Sequence, residues 1–246
     1  DPSIGIVDPF SKGYYKGRKV TLGLDYEGHG EEEEASQTTI TFWDEIAFGV
    51  SRWLYAKTWD VGTPPHQIRE EIVAMCRYFR PKGGAGDAYG ASELYELNLA
   101  LYKVGLTKIN VGRLQNKAGK GGWDEFFIVP IRHSGPQKHT MYKQLQLAMH
   151  SRSVIWPLYL EGYPGYEALG KFLAQLENIK AKRTTHGYDS FSMIRPKLGD
   201  DFVDSGVTGL WAQGSGVEAP EAYGGSVKPR GFRSQKFSQG QKFRSR

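Results

Sequence analysis

The chain of 246 residues lacks features that several classes of protein require. Its single cysteine, Cys76, excludes an intrachain disulfide and a cysteine-rich zinc site, and it fits a reducing compartment. No apolar run approaches the roughly 20 residues that a membrane span needs, so no membrane association is expected. A phosphate loop of the form GxxxxGKS or GxxxxGKT is also absent, which excludes an ATPase of that type within this chain.

The amino terminus lacks two further signals. The chain begins with Asp1-Pro-Ser-Ile-Gly rather than with methionine, and it carries no signal-peptide pattern. We therefore expect a piece of a longer polypeptide, although a processed or trimmed chain would begin in the same way.

Positive charge is concentrated at the carboxyl terminus. The net charge is +5, yet residues 226–246 contain seven basic residues and no acidic one. The preceding 225 residues therefore hold 25 basic and 27 acidic residues, a net charge of −2. The basic character belongs to the terminal segment, so it does not by itself indicate that the body of the protein binds nucleic acid.

Apolar periodicity predicts a mixed α/β protein. Strands are predicted over 19–24, 38–43, 50–58 and 126–131, a short glycine-rich strand is predicted to end at Asp87, and helices are predicted over 63–79, 92–104, 137–150, 166–179 and 200–211. Residues 154–160 are expected to pack as a strand or as an irregular core segment. Cys76 lies among apolar residues at helical spacing and is predicted to be in the core. Three strands followed by alternating helices and strands indicate a mixed sheet with helices on its faces.

The domain boundaries follow from composition. Residues 1–18 are predicted to be a linker or lead-in, residues 19–212 one domain, and residues 213–246 a tail that is glycine-rich, then basic and flexible. Residues 117–122 are predicted to form the tip of a β-hairpin.

Three acidic signatures, far apart in the sequence, are the strongest functional signal. Asp25 and Asp87 each follow a predicted strand, where catalytic groups of such sheets tend to lie. Asp200, Asp201 and Asp204 open the last predicted helix. Carboxylates that converge in space bind Mg²⁺ or Mn²⁺, and a pair of such ions stabilises the attacking and leaving oxygens of a phosphodiester. Each acid also has a structural interpretation, as a helix N-cap, as a partner of the helix dipole or in a turn.

The order and spacing of these motifs resemble a known family. Gly23-Leu-Asp25, Asp87-Ala-Tyr-Gly90 and Asp200-Asp201-Phe-Val-Asp204, with the segment 138–157 between the last two, resemble ribonuclease-H-like nucleases. More narrowly, they resemble the C-terminal nuclease domain of the large terminase subunit of tailed bacteriophages, over residues 19–212. The implied fold is a ribonuclease-H-like mixed central β-sheet flanked by helices, with a β-hairpin insertion.

The resemblance implies roles for the acids. Asp25, Asp87 and Asp201 are expected to be catalytic metal ligands, with two Mg²⁺ or Mn²⁺ ions as cofactors. The third ligand is implied to be Asp200 or Asp201, with Asp201 favoured, and Asp204 either binds metal or supports a ligand. Ser205-Gly206 departs from the small-residue and leucine-rich continuation of the family, so the choice within this group stays open.

The resemblance also implies a biological role. It predicts an endonuclease that cuts concatemeric double-stranded viral DNA at the initiation and termination of genome packaging in the host cytoplasm. The portal protein and the small terminase subunit are implied partners, and an ATPase domain is expected N-terminal to this one in the parent chain.

Basic and histidine side chains give lesser candidates. DNA contacts are predicted for Lys117, Lys120, Lys138, Arg230, Arg233 and Lys236. The tail, in which phenylalanines alternate with basic residues, suits either DNA or the portal. The six histidines show no metal-binding spacing and are expected at the surface or in packing. As the lesser alternative, His133 and Lys138, which follow the fifth strand, approach the site or DNA.

Two other functions remain open at this point. One is another ribonuclease-H-like nuclease of the resolvase or transposase type. The other is a non-catalytic packaging module that binds only DNA or the portal.

Overall fold

A six-stranded mixed sheet forms the centre of the protein. The computed structural model describes residues 18–26, 37–109, 126–133, 135–157, 161 and 165–214. Residues 1–17 of the predicted linker, the predicted hairpin tip at 117–122 and residues 215–246 of the predicted tail lie outside these residues. Among the helices of the described part, none is both long enough and apolar enough to cross a membrane.

The elements alternate as the sequence predicts. In chain order they are β1 (Lys19–Asp25), β2 (Thr39–Ala47), β3 (Val50–Thr58), α1 (Pro65–Phe79), β4 (Gly83–Asp87), α2 (Ala91–Lys103), β5 (Ile128–Ile131), α3 (Gly135–His150), β6 (Val154–Ile155), α4 (Tyr166–Glu177), β7 (Ile179–Arg183), β8 (Asp189–Met193) and α5 (Asp201–Gly214).

The strand order of the sheet is β5-β4-β1-β2-β3-β6. The first three strands form an antiparallel meander, whereas β4 and β5 run parallel to β1, and β6 runs parallel to β3. The predicted mixed sheet is thereby confirmed. Because β1, β4 and β5 are parallel neighbours, their carboxyl ends meet at one edge of the sheet.

Both faces of the sheet are covered by helices. Adjacent residues of a strand point to opposite faces, and β2 shows this with two aromatic side chains. Phe42 stacks on Phe79 of α1 with ring centroids 4.4 Å apart. The Trp43 indole instead donates a hydrogen bond to the carbonyl of Gly206 in α5, at 2.9 Å. Cys76 is buried in the core as predicted, and burial raises the pKa of its thiol to about 12.

Helix α5 lies unusually close to β1. A Cβ atom at Gly23 would lie 1.9 Å from the carbonyl oxygen of Ser205, and one at Gly209 would lie 2.8 Å from the backbone nitrogen of Gly23. Ser205 uses this proximity, because its hydroxyl donates to the Gly23 carbonyl at 3.1 Å. A Cβ at Gly206 would lie 2.2 Å from the Phe172 ring. The Ser205-Gly206 departure from the family pattern is therefore a packing requirement of this helix.

The region after α4 differs from the prediction. The helix ends at Glu177, two residues before its predicted end, and β7 and β8 then form an antiparallel hairpin. The sequence analysis assigns no strand here, because most side chains of β7 and β8 are exposed and the apolar alternation is weak. Of the apolar segment 154–160 the structure describes residues 154–157, and within these Val154–Ile155 pairs as a strand.

Candidate metal centre

The carboxyl ends of the parallel strands bring three side chains together. Asp25 ends β1, Asp87 ends β4, and His133 lies two residues after β5. One potential ligand atom from each of the three lies within 4.8 Å of the others. Asp25 is 5% exposed and Asp87 8% exposed. Two carboxylates and an imidazole, converging at one edge of the sheet, form what we call the strand half of the site.

His133 is held from both sides of its ring. Its Nδ1 lies 3.3 Å from Oδ2 of Asp87, and its Nε2 lies 3.0 Å from the hydroxyl of Thr208 in α5. The histidine thus connects β4 to the helix and orients the Asp87 carboxylate. An interpretation of His133 as a surface or packing residue misses these contacts. Its position directly after β5 is the signal in the sequence that could have found them.

The acids of the last helix form a second group, which we call the helix half. Oδ1 of Asp204 accepts a hydrogen bond from the Tyr142 hydroxyl at 2.6 Å, and its Oδ2 lies 2.5 Å from Nζ of Lys138. The same ammonium lies 3.2 Å from Oδ2 of Asp200. Asp204 is buried, and Asp200 directly precedes α5.

These contacts change the ionisation of their partners. Burial of Lys138 disfavours its charge, but the carboxylates of Asp204 and Asp200 outweigh this and raise the pKa of its ammonium above the usual value. Burial and the charge of Asp204 together raise the pKa of Tyr142 well above its usual value. Asp25 contributes to the same increase, which places its carboxylate within electrostatic reach of Tyr142. His133 also connects the two halves, because its ring contacts Asp87 of the strand half and Thr208 of α5.

Asp201 occupies a third position. It lies in the first turn of α5 and is buried. Its Oδ2 would lie 3.1 Å from a Cβ atom built on Gly199, so the carboxylate lies over that glycine. Within the described residues, Asp201 is not part of the group whose ligand atoms approach within 4.8 Å. Its role as the third ligand stays a prediction.

The predicted DNA-binding residues divide into two sets. Lys138 contacts the acids of the helix half, so it approaches the site as the lesser alternative for this residue has it. The other residues, Lys117, Lys120, Arg230, Arg233 and Lys236, lie outside the described residues. Their contacts with DNA stay predictions, as does that of Lys138.

The β7–β8 hairpin packs beside the helix half. Phe191 of β8 stacks on the Tyr142 ring with centroids 4.3 Å apart and an interplanar angle of 15°. Asp189 lies 3.1 Å from Nζ of Lys143 in α3. Lys180 and Lys182 are exposed on the hairpin face opposite Phe191, because strand neighbours alternate in direction.

The donor set suits a hard divalent cation. Mg²⁺ binds carboxylate oxygens, and Mn²⁺ accepts both carboxylate and imidazole. The strand half offers both kinds of ligand from nearly buried side chains. A cation between Asp25 and Asp87 would also offset the repulsion of two like charges at close range. The residues present therefore fit such an ion.

Comparison of the structure with solved structures finds terminase nucleases. The large terminase nuclease from thermophilic phage G20c with bound magnesium has a TM-score of 0.52 at 15% identity, with 85% of this chain and 93% of that chain covered. The human cytomegalovirus terminase nuclease domain has a TM-score of 0.52 at 10% identity, covering 85% and 90%. The HK97 bacteriophage large terminase has a TM-score of 0.54 at 10% identity, covering 85% of this chain and 41% of that chain.

The level of identity limits what these matches show. No protein-family model and no curated protein sequence matches the chain. At 10–15% identity the likeness concerns the fold alone. The chain has the ribonuclease-H-like fold of large terminase nuclease domains, as the acidic motifs predict.

Proposed function

From this shared fold we propose that the chain is a divalent-metal-dependent DNA endonuclease of a viral genome-packaging terminase. The observation that carries the proposal is the convergence of Asp25 and Asp87 at adjacent strand ends, with His133 beside them, in the fold of terminase nucleases.

The chemistry of phosphodiester cleavage needs such a site. Divalent ions held there would make a bound water acidic and neutralise the charge that develops on the phosphate. Asp25 and Asp87 would bind the cofactor, for which we propose two Mg²⁺ or Mn²⁺ ions. His133 would keep the Asp87 carboxylate in its orientation, and α5 would present Asp200, Asp201 and Asp204 as the source of the remaining ligand.

The substrate is proposed to be concatemeric double-stranded viral DNA, cut at the start and end of packaging. Lys180 and Lys182, exposed on the β7–β8 hairpin, carry positive charge that supports binding to a phosphate backbone. The chain covers 41% of the HK97 large terminase. This supports the proposal that it is one domain of a larger polypeptide with an N-terminal ATPase, which acts with the portal and the small subunit in the host cytoplasm.

A plasmid-cleavage assay tests the proposed function. Supercoiled DNA is incubated with the chain in Mg²⁺, in Mn²⁺ or in EDTA, and nicked and linear products are quantified. Asp25→Asn and Asp87→Asn should each lower the cleavage rate by about 10³-fold, since metal stabilisation of the transition state contributes several kcal/mol and each ~1.4 kcal/mol is tenfold in rate. Glu70→Gln, at an exposed carboxylate of α1, is the matched control.

The same assay separates the competing functions. Cleavage at the wild-type rate by both folded variants would refute the metal-site proposal. DNA binding without cleavage in either metal would favour the non-catalytic packaging module. Dimeric mass in solution and selective cutting of four-way junctions would favour a resolvase.

A further inference from the structure

The helix half of the site already contains a cation that belongs to the chain. The Lys138 ammonium lies 2.5 Å from Oδ2 of Asp204 and 3.2 Å from Oδ2 of Asp200. The Tyr142 hydroxyl donates a hydrogen bond to Oδ1 of Asp204. Both oxygens of Asp204 are therefore engaged by α3, in a site whose proposed chemistry needs carboxylates for metal.

The ammonium is held in place by its surroundings. Lys138 and Tyr142 are one helical turn apart on α3, and Nζ of Lys138 lies 5.7 Å from the centre of the Tyr142 ring. Phe191 also stacks on that ring, with the ring centroids 4.3 Å apart. The side chain of Lys138 is only 22% exposed. The contact with Asp204 is thus a part of the packed structure and not a transient surface ion pair.

The strand half has a different composition. Asp25, Asp87 and His133 each place one potential ligand atom within 4.8 Å of the others, and the His133 ring contacts Asp87 and Thr208 and, among the residues that the structure describes, no lysine. A divalent ion at the helix half would have to share the Asp204 oxygens with the Lys138 ammonium. Two cations bound to the same carboxylate lie close together and repel each other. The two halves should therefore differ in affinity for the same metal.

We propose that Lys138 is the resident cation of the helix half: it reserves Asp204, so that one divalent ion binds tightly at Asp25, Asp87 and His133 while a second is withheld until the ammonium leaves. This inference rests on the proposed metal-dependent nuclease function. Lys138 is in this sense a positioning residue, which acts through Asp204. A lysine suits the role, because its ammonium is a compact charge on a flexible stem and can be displaced.

A purely structural role for Lys138 makes a different prediction. If the lysine serves only to neutralise buried carboxylates, its removal lowers stability and leaves the number and affinity of bound ions unchanged. The two roles therefore separate in a binding measurement, independently of any cleavage assay.

Mn²⁺ binding to the DNA-free chain tests the inference. Isothermal titration calorimetry, with electron paramagnetic resonance of free Mn²⁺ as a second readout, counts ions and gives their affinities. We expect one tight ion for the wild type. Lys138→Met should bind two, with the second ion at least tenfold tighter than any second ion of the wild type. Lys138→Arg, which keeps the charge, should restore the wild-type count.

Further variants keep the test decisive. Lys143→Met removes a lysine of α3 that contacts Asp189 instead, and it should bind Mn²⁺ as the wild type does. Lys138→Gln replaces Lys138→Met if the latter fails to fold, since the amide can still donate to Asp204. The double variant Lys138→Met with Asp204→Asn should return to one ion, which assigns the second ion to Asp204.

The outcomes distinguish the two proposals. Two tight ions in the wild type, or identical binding in the wild type and Lys138→Met, would overturn the role of Lys138 while the nuclease proposal stands. No Mn²⁺ binding by any variant would overturn the proposed metal-dependent function itself, and with it the role of Lys138.

Discussion

Buried carboxylates lie at both ends of β1, and their charged neighbours differ between the two ends. Near the start of β1, Asp44 of β2 is fully buried and lies 2.7 Å from the guanidinium of Arg18 and 2.8 Å from that of Arg52. At the other end, Asp25 and Asp87 converge on each other and on His133. The chain itself supplies two guanidinium groups as the counter-charge for Asp44. The two carboxylates at the strand ends instead lie close to each other and to an imidazole. The two ends therefore differ in the groups that surround their buried carboxylates.

The largest expected effect is on stability, because substitutions at the two ends of β1 should change the free energy of unfolding differently. Asp44→Asn leaves the buried Arg52 guanidinium without its counter-charge, and we expect a loss of about 3–5 kcal/mol in the free energy of unfolding. Asp87→Asn should leave that free energy unchanged or raise it in metal-free buffer, because it removes one of two converging like charges. Urea denaturation in EDTA measures both. Equal losses in the two variants would contradict the distinction between them.

Metal affinity should depend on His133. His133→Gln removes the imidazole that orients Asp87, and we expect Mn²⁺ affinity to fall about 10- to 100-fold, as for other residues that orient metal ligands. His66→Gln, on the exposed side of α1, is the matched control and should bind Mn²⁺ normally. Calorimetric titration gives the affinities. An unchanged Mn²⁺ affinity of His133→Gln would contradict a role of the histidine in metal binding and leave only the acids in the site.

The smallest expected effect lies at a carboxylate that is partly exposed. Glu71 of α1 accepts hydrogen bonds from Lys57 and from Trp59, the latter at 2.8 Å, and the bond from Lys57 is the main reason that its pKa lies below the usual value, against the opposing effect of burial. Glu71→Gln should cost less than about 1 kcal/mol near pH 7, since a third of the side chain is in solvent.

The sign of this pH dependence follows from the lowered pKa of Glu71. Its stabilisation is fully present above the unfolded pKa of about 4.3 and is lost as the pH falls through the lower folded value. The difference in unfolding free energy between the wild type and Glu71→Gln should therefore vanish in acid. Chemical denaturation over a series of pH values measures it. A difference that grows as the pH falls would contradict the assignment.

Local sequence pattern was enough to predict that the two carboxylates of the strand half lie together. Asp25 and Asp87 follow short apolar or glycine-rich strands, and the rule that parallel strands present their carboxyl ends at one edge brings them together. His133 also follows a strand, β5, but a lone histidine carries no spacing signal of its own. Its role emerges only when β5 is seen to lie next to β4.

The contacts of the helix half and the β7–β8 hairpin could not be predicted from local sequence pattern. Lys138 precedes Asp204 by 66 residues, so no periodicity connects them, and the packing of α3 against α5 decides their contact. The strands β7 and β8 expose most of their side chains and pair mainly with each other, which leaves little of the apolar alternation that reveals a half-buried strand.

By itself, the sequence determined the mixed α/β architecture and the positions of the acids, because hydrophobic periodicity and strand ends are local properties of the chain. Only the tertiary structure decided which of the acids the side chains of α3 contact. That choice depends on how closely α5 approaches β1 through Gly23 and Gly209, and on which side chains of α3 then reach Asp204. Charge pairing over such sequence distances is set by packing, so it can be read only from the folded protein.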